Sequence, residues 1–396
     1  MKRPQSSIPL AGPGGEAWVP PLLQDPTRTA QFHSGRVHRT LPYPIPSTRT
    51  NGGQERTRLF RHPLFSSGGC LSLGGGSYAK EGVALKIFLL MMTIASSGWG
   101  LGVSDKGSTG AQFLKLGPGA RAAAMGEACS AVCEDAYAVY YNPAGLGHIR
   151  QSQAAAMHNR HFQGIVHNFG ALAVPLLAWT DSKLDRDAYG TLAFSLTSLG
   201  VEGIERRGTV ETDAPTGTFG ASDLAYSLGY GISMDRRLAF GGALKFIEQT
   251  LDSSRASAYA ADIGTLYRGE RVSFSGGVRN FGTRVKFRQE SDPLPLMIYA
   301  GTGWRAGEGL LLSADLRLPR DNAPALSAGA ELKRSVGEGL FGALRAGFNS
   351  ANMDAGGFGG VSFGAGVQLH SLEMDFAWIP RGDLGDTYRY SLQIKF

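Results

Sequence analysis

From Ser152 to Phe396, apolar side chains recur at every second position in segments of about ten residues, a period that belongs to β-strands and not to helices. Leu238, Phe240, Gly242, Leu244 and Phe246 share one face while Lys245 lies on the other. Leu310, Leu312, Ala314, Leu316 and Leu318 interleave with Ser313, Asp315 and Arg317. Leu372, Met374, Phe376 and Trp378 interleave with Glu373 and Asp375, and Leu224, Tyr226, Leu228 and Tyr230 with Asp223 and Ser227. Each strand therefore has one apolar face and one small or charged face.

A soluble sandwich also alternates, so strand length decides. About ten residues is long for a sandwich strand and matches the roughly 9–11 that cross a bilayer at a tilt. Tyr226, Tyr230, Tyr259, Tyr267, Trp304 and Trp378 stand toward segment ends, where interfacial girdles lie. Lipid offers no water to orphan backbone groups, so such strands must close into a barrel. The segments centre on Ala156, Gly170, Phe194, Leu228, Leu244, Ile263, Phe274, Ala300, Ser313, Gly329, Arg345, Gly364, Asp375 and Leu392. The fold class predicted is all-β, a transmembrane antiparallel barrel of about 14 strands, an even count as single-chain bacterial barrels require. The longer polar connections near Asp181–Asp187, Glu202–Gly220, Lys286–Pro293 and Arg381–Asp386 are expected outside the cell, and tight turns such as Asp235-Arg236 on the periplasmic side. A soluble periplasmic β-protein is the competing class; it needs a second sheet over the apolar faces and predicts solubility without detergent.

The formal charge of +6 raises the possibility of a nucleic-acid partner until it is located. Residues 1–82 carry ten Lys/Arg against four Asp/Glu, which leaves 29 of each sign in residues 83–396. The basic excess lies outside the patterned part, so no nucleic-acid partner is expected. Residues 1–82 also hold ten of the 19 prolines and no apolar period, a composition expected to be disordered or to lie upstream of the true start. From Val83, Lys86 is followed by an apolar run from Ile87 to Ala95 and then small residues. That is the pattern of a secretory leader, too short for a membrane helix, with cleavage expected between Ser97 and Gly102 and translation expected to begin at Val83. Residues 83–100 are read as this leader, 101–151 as an N-terminal hatch and 152–396 as the barrel.

Within the hatch, Gly117-Pro118-Gly119 reads as a tight turn, Ala120 to Met125 as a helix-prone run, and Ala131 to Tyr141 as a second short helical segment bearing Glu134 and Asp135. Asn142-Pro143-Ala144-Gly145 ends it, because Pro143 lacks an amide proton and biases Asn142 toward extended backbone. About 45 residues cannot build a sufficient core, so this part is expected to pack against or inside something larger. Cys129 and Cys133, four apart, read as small buried side chains in an Ala-rich helix.

The stretch GAQFLKLGPGARAAAMGEACSAVCEDAYAVYYNPAGL resembles the N-terminal signature of the PorV/PorQ family, relatives of the FadL-type fatty-acid channels, above all in FLKLGPGARAAAMG and YYNPAGL. The closing DFAWIPRGDLGDTYRYSLQIKF is similar to the family's end, and the likeness runs from Gly107 to Phe396. It implies a fourteen-stranded barrel with the hatch folded inside and a plug shaped by Asn142, Pro143 and Ala144. Two departures stand out: Cys129 and Cys133 occupy positions usually small or apolar, and Glu127 replaces a common Gly. Some members of the family carry hydrophobic substrates; PorV-like members collect cargo from a type IX secretion translocon.

The last strand places Tyr388, Tyr390, Leu392, Ile394 and Phe396 on one face and ends on an aromatic, similar to the signal read by barrel-assembly machinery. His158 and His161 point to opposite faces if both lie on one strand, so with His148 and His167 they read as solvated turn or loop histidines and no metal site is expected. The Gly-rich 117–119 and 356–360 lack the strand–helix context of a nucleotide loop, and no nucleophile elbow accompanies any Ser, His and Asp. The reading is non-enzymatic, with no cofactor. Alternation turns Asp223, Lys245, Asp262, Asp315, Arg317, Glu331, Arg345, Glu373 and Asp375 inward, where they are expected to pair with one another and with Arg121, Glu134 and Asp135. The expected function is passive uptake or binding of a hydrophobic ligand at the bacterial outer membrane, with membrane lipid and barrel-assembly machinery as partners. The alternative is a secretion component that holds exported cargo beside its translocon.

Overall fold

The computed structural model describes residues 106–176, 189–208, 213–355, 358–382 and 385–396. The expectations for the preface and leader fall outside these residues. Sixteen strands occur among them: β1 (Gln153–Arg160), β2 (Val166–Pro175), β3 (Thr191–Arg206), β4 (Gly217–Ser233), β5 (Leu238–Leu251), β6 (Ser254–Arg268), β7 (Val272–Gly282), β8 (Val285–Phe287), β9 (Glu290–Asp292), β10 (Met297–Gly307), β11 (Leu310–Pro319), β12 (Ala325–Gly337), β13 (Leu340–Asn349), β14 (Val361–Leu369), β15 (Leu372–Pro380) and β16 (Asp386–Lys395). All but β8 and β9 form one closed antiparallel barrel in which each strand pairs with its sequence neighbours and β16 returns to β1, Ala154 opposite Ile394. Each of the fourteen centres predicted above lies in its own barrel strand.

The faces decide against a soluble sandwich. Leu192, Phe194, Leu196, Leu228, Leu244, Ile263, Leu344 and Leu392 are exposed on the outside, with Leu244 67% and Ile263 69% accessible. No second sheet covers them; among the described residues the only other sheet is the two-stranded β8–β9 hairpin. Their inward neighbours Ala193, Ser195, Ala243, Lys245, Asp262 and Arg345 are buried. An apolar belt facing outward and polar groups facing inward is the inverse of a water-soluble protein. Tyr226, Tyr230, Tyr259 and Trp304 stand exposed on the belt, whereas Tyr267 is 9% exposed and does not contribute to a girdle.

Antiparallel strands deliver successive connections to alternate ends. One end, called the loop end, carries the connections 161–165, 207–216, 252–253, 283–296, 320–324, 350–360 and 381–385. The other, the turn end, carries 234–237, 269–271, 308–309, 338–339 and 370–371 together with the start of β1 and the finish of β16. This corrects one expectation: the Asp181–Asp187 connection, itself outside the described residues, joins β2 to β3 at the turn end and cannot share a side with the other three long ones. The connection around Lys286–Pro293 is not simple loop but contains the β8–β9 hairpin.

Residues 106–151 fill the lumen. Two helices form, α1 (Ala120–Ala124) and α2 (Ala138–Tyr141). Residues 131–137 are turn and not helix, and Cys129 and Cys133 are joined by a disulfide across an i→i+4 turn. The thiols are thus a cross-link, and their four-residue spacing recorded a turn that brings Cα atoms to 5.4 Å. The wall makes room by lacking side chains: Pro143 and Ala144 lie directly on Gly241, and the Gly126 backbone lies on Gly347 and Phe348. Gly126 itself has φ 64°, the left-handed region.

Candidate functional site in the plugged lumen

The hatch threads the barrel from the loop end to the turn end. At the loop end one carboxylate gathers its first segment: Asp321, in the β11–β12 connection, accepts from Thr109 Oγ1 at 2.6 Å, Gln112 Nε2 at 2.7 Å and Lys115 Nζ at 2.6 Å. Burial would raise the Asp321 pKa, but these donors more than reverse that and hold it below its usual value. The Ala111 N–H donates to Gln249 and the Gly110 N–H to the Pro293 carbonyl. At the turn end Ser233 donates to the Gly147 carbonyl, and Glu134 accepts Arg268 at 2.9 Å.

Between these ends the inward charges meet the hatch. Glu331 receives Arg121 from α1, Nε at 2.8 Å and Nη2 at 3.0 Å, and Arg345 from β13 at 2.6 Å. Arg345 continues to Asp375 at 2.6 Å and Glu373 at 3.5 Å, Glu373 to Lys333, and Arg121 to Asp135 at 3.8 Å. This chain of charges ties the plug to β12, β13 and β15. Arg317 pairs with Glu127 at 2.8 Å and bonds Ser327. Asp315 accepts the Cys129 and Ser130 N–H groups at 3.1 and 2.9 Å, so the disulfide turn presents its amides to a wall carboxylate. Lys245 and Asp262 pair with each other at 2.6 Å, Lys245 also meeting Asn280, and Asp223 accepts from Gln249. Asn142 donates to the carbonyls of Ser130 and Thr265 and accepts the Ala144 N–H, capping the 3-10 turn Pro143–His148 that contains Gly145. Burial, with Arg268 beside it, pushes the His148 imidazole down to about 4.

Three groups lie outside the residues singled out from sequence. Arg279 is buried against the rings of Tyr140 and Tyr299, 5.0 and 5.5 Å from its guanidinium carbon, with no carboxylate at ion-pair distance among the described residues. Asp321 carried no signal, because it sits in a turn without period. Arg389, 1% exposed and bonded to the Gly117 carbonyl, was legible: it alternates with Tyr388 and Tyr390, and outward tyrosines put it inward. Of the histidines, His158 faces outward, bonded to Asn168, while His161 and His167 are buried with rings 6.3 Å apart. The histidines are therefore not all solvated. Burial, with Arg389 and Arg381 nearby, pushes His161 down to about 4. Among the described residues no group of three or more His, Cys, Asp or Glu is placed to hold a metal.

Beside a larger apolar cluster in which hatch residues Tyr137, Val139, Tyr140 and Leu146 pack with Met157, Phe169 and Ala193 of β1–β3, the lumen has a second one, a hollow at its loop end. Ala225, Ile247, Ala258, Ala260, Val285 and Leu294 surround it, and the hatch's own Phe113 and Leu114 fill it. Leu199 and Phe287 pack on its edges. Phe287 also lines a surface groove of about 650 Å³ with the apolar Phe219 and Leu251 and the polar Arg206, Asp252, Arg288 and Glu290. Leu199 also lines a depression of about 540 Å³ in the β2–β3–β4 wall, with Ser198, Gly200, Val201 and Leu224. There the outward residues pass from Leu196 to Ser198 and Gly200, and β3 bulges against β4 between Val201 and Ile204, so the depression sits at the rim of the apolar belt.

No protein-family model matches the chain, and no curated protein matches it. Among solved structures, the toluene transporter TbuX of Ralstonia pickettii aligns over 71% of this chain and 98% of its own, at 12% identity and a TM-score of 0.47. The toluene transporter TodX of Pseudomonas putida covers 70% and 96%, at 10% identity and 0.46. A FadL homologue of Pseudomonas aeruginosa covers 70% and 97%, at 10% and 0.44. The architecture assigned to this chain stands on its own strand register.

Proposed function

We propose that this chain is an integral outer-membrane barrel that takes up or binds an apolar ligand passively, along the β3–β6 wall instead of down the middle of the lumen. The middle is filled by the hatch, which pairs its charges with β12, β13 and β15 and packs its apolar side chains on β1, β2 and β3. One observation carries the reading: Phe113 and Leu114 occupy a hollow that adjoins an outer groove through Phe287 and a wall depression through Leu199. A ligand that displaced the two side chains would exchange like for like, at little cost in hydration. In this reading the membrane supplies the partner for the outward belt, and the outward Tyr388, Tyr390, Leu392, Ile394 and Phe396 are what barrel-assembly machinery reads.

A second reading, a PorV-like holder of exported cargo in a type IX system, is favoured by the charge network that closes the lumen. Native mass spectrometry of the Val83–Phe396 protein, extracted from its own outer membrane in mild detergent, separates the two. The uptake reading expects an apolar molecule at stoichiometric occupancy, with greater retention in a Phe113→Ala, Leu114→Ala variant whose hollow is enlarged. An exported protein or translocon subunit, with no small ligand in either form, would reject uptake in favour of cargo holding.

A further inference from the structure

The geometry points to a separate binding site for a small oxyanion at the loop end of the lumen, on the wall formed by β16, β1 and β2. Arg389, Asn159 and His167 are direct cross-strand neighbours, Arg389 opposite Asn159 and Asn159 opposite His167. Thr387 stands two residues from Arg389 on the same inward face. Asn159, His167 and Thr387 are 0% exposed and Arg389 is 1% exposed. Full burial normally requires that such groups find hydrogen-bond partners. Here Asn159 Oδ1, both ring nitrogens of His167, Thr387 Oγ1 and Arg389 Nε find none, and Arg381 Nε at the rim finds none either. Reading the Asn159 amide the other way round would leave its NH2 unpartnered instead.

The charge balance sets the class of ligand. Two guanidiniums, Arg381 and Arg389, border the cluster; Arg389 donates to the Gly117 carbonyl and Arg381 to Asn352 Oδ1 at 3.3 Å, both neutral acceptors, while the nearby carboxylate of Glu127 is engaged by Arg317 at 2.8 Å. A metal ion would be repelled by the guanidiniums, and a neutral molecule would leave the positive charge unanswered. Unpartnered donors on β16 and β2 suit an acceptor with more than one oxygen, as a carboxylate has, and such bonds to charge are the strong kind. The site does not use the apolar hollow or its openings, so it stands or falls apart from the uptake route.

The full barrel in detergent, with 15N-labelled histidine, tests this by titration with sodium acetate and, separately, with acetamide, its neutral isostere. Saturable movement of the His167 resonances with acetate and not with acetamide is expected. Arg389→Gln should weaken acetate binding by about tenfold or more, since a charge-assisted bond is lost. His167→Gln, followed through His161, serves if Arg389→Gln does not fold, and the outward His158→Gln should bind like the parent. Equal response to acetamide would mean a polar solute or water site, and no saturable response, or undiminished binding in Arg389→Gln or His167→Gln, would equally overturn the oxyanion assignment.

Discussion

At the scale of single residues, Asp321 holds more of the hatch than any group marked by the sequence pattern. It takes three donors from one seven-residue span while its side chain is 0% exposed. Asp321→Asn removes the charge and leaves Lys115 without its partner. The expected result is local loosening of residues 109–116 by roughly 3 kcal/mol, about a hundredfold in amide exchange, with strand amides unchanged. Hydrogen-exchange mass spectrometry reads this directly, and equal protection in the variant would remove Asp321 from this role. The pH dependence has a definite sign. Because the folded carboxylate titrates below its ordinary 3.8, its contribution is fully present above that value and is lost as pH falls through the lowered one. Glu127 shows what a carboxylate does at a backbone position that a glycine would occupy more easily. Its φ is 64°, a left-handed backbone that Gly adopts freely and that costs another residue about 1–2 kcal/mol, and its carboxylate pairs with Arg317. The pairing gives a side chain at that position a reason to be there; the identity of its partner was not legible, because sequence separation of 190 residues says nothing about distance.

At the scale of elements, the strands were legible because their period of two is imposed by the belt and the lumen together. Leu244 and Lys245, adjacent in sequence, are 67% and 4% exposed, and no helix produces that inversion residue by residue. The β8–β9 hairpin was not legible: three residues per strand are too few to show a period. Nor was the turn at 129–133, where helix-forming alanines surround a disulfide and tertiary contacts override propensity. The contact between Gly241 and the Asn142-Pro143-Ala144 turn gives a prediction at this scale. A Cβ at Gly241 would meet the Pro143 carbonyl and the Ala144 nitrogen, both backbone atoms that cannot rotate away. Gly241→Val should therefore lift this part of the plug off β5 at a cost of about 1–3 kcal/mol while the barrel still closes. Limited proteolysis should find new cleavage within 130–150 alongside an unchanged heat-modifiable barrel on gels; no new cleavage would show that the wall, and not the plug, yields.

At the scale of the whole molecule, the number of strands and their closure followed from patterning, but the assignment of connections to ends required counting strands as well as loop length. Length alone put Asp181–Asp187 with the outer loops, and an antiparallel order of fourteen strands does not permit it. In the proposed membrane setting, a cysteine at Lys286 should be labelled on intact cells by an impermeant reagent, and one at Asp235 only after the outer membrane is opened. The reverse pattern would invert the barrel. The direction in which the hatch crosses the lumen also bears on how the barrel can be assembled. Thr109 is at one end and Gly147 at the other, immediately before β1 begins. The ring of strands is closed by β1 meeting β16, the pairing that joins the most distant parts of the barrel sequence. A thread carrying Arg121, Glu127 and Asp135 could not be drawn lengthwise through a finished ring without stripping each charge of its water. Shutting the seam around a thread already in place avoids that cost, and in such an order the hatch would serve as a mould for the ring, not a stopper fitted afterwards.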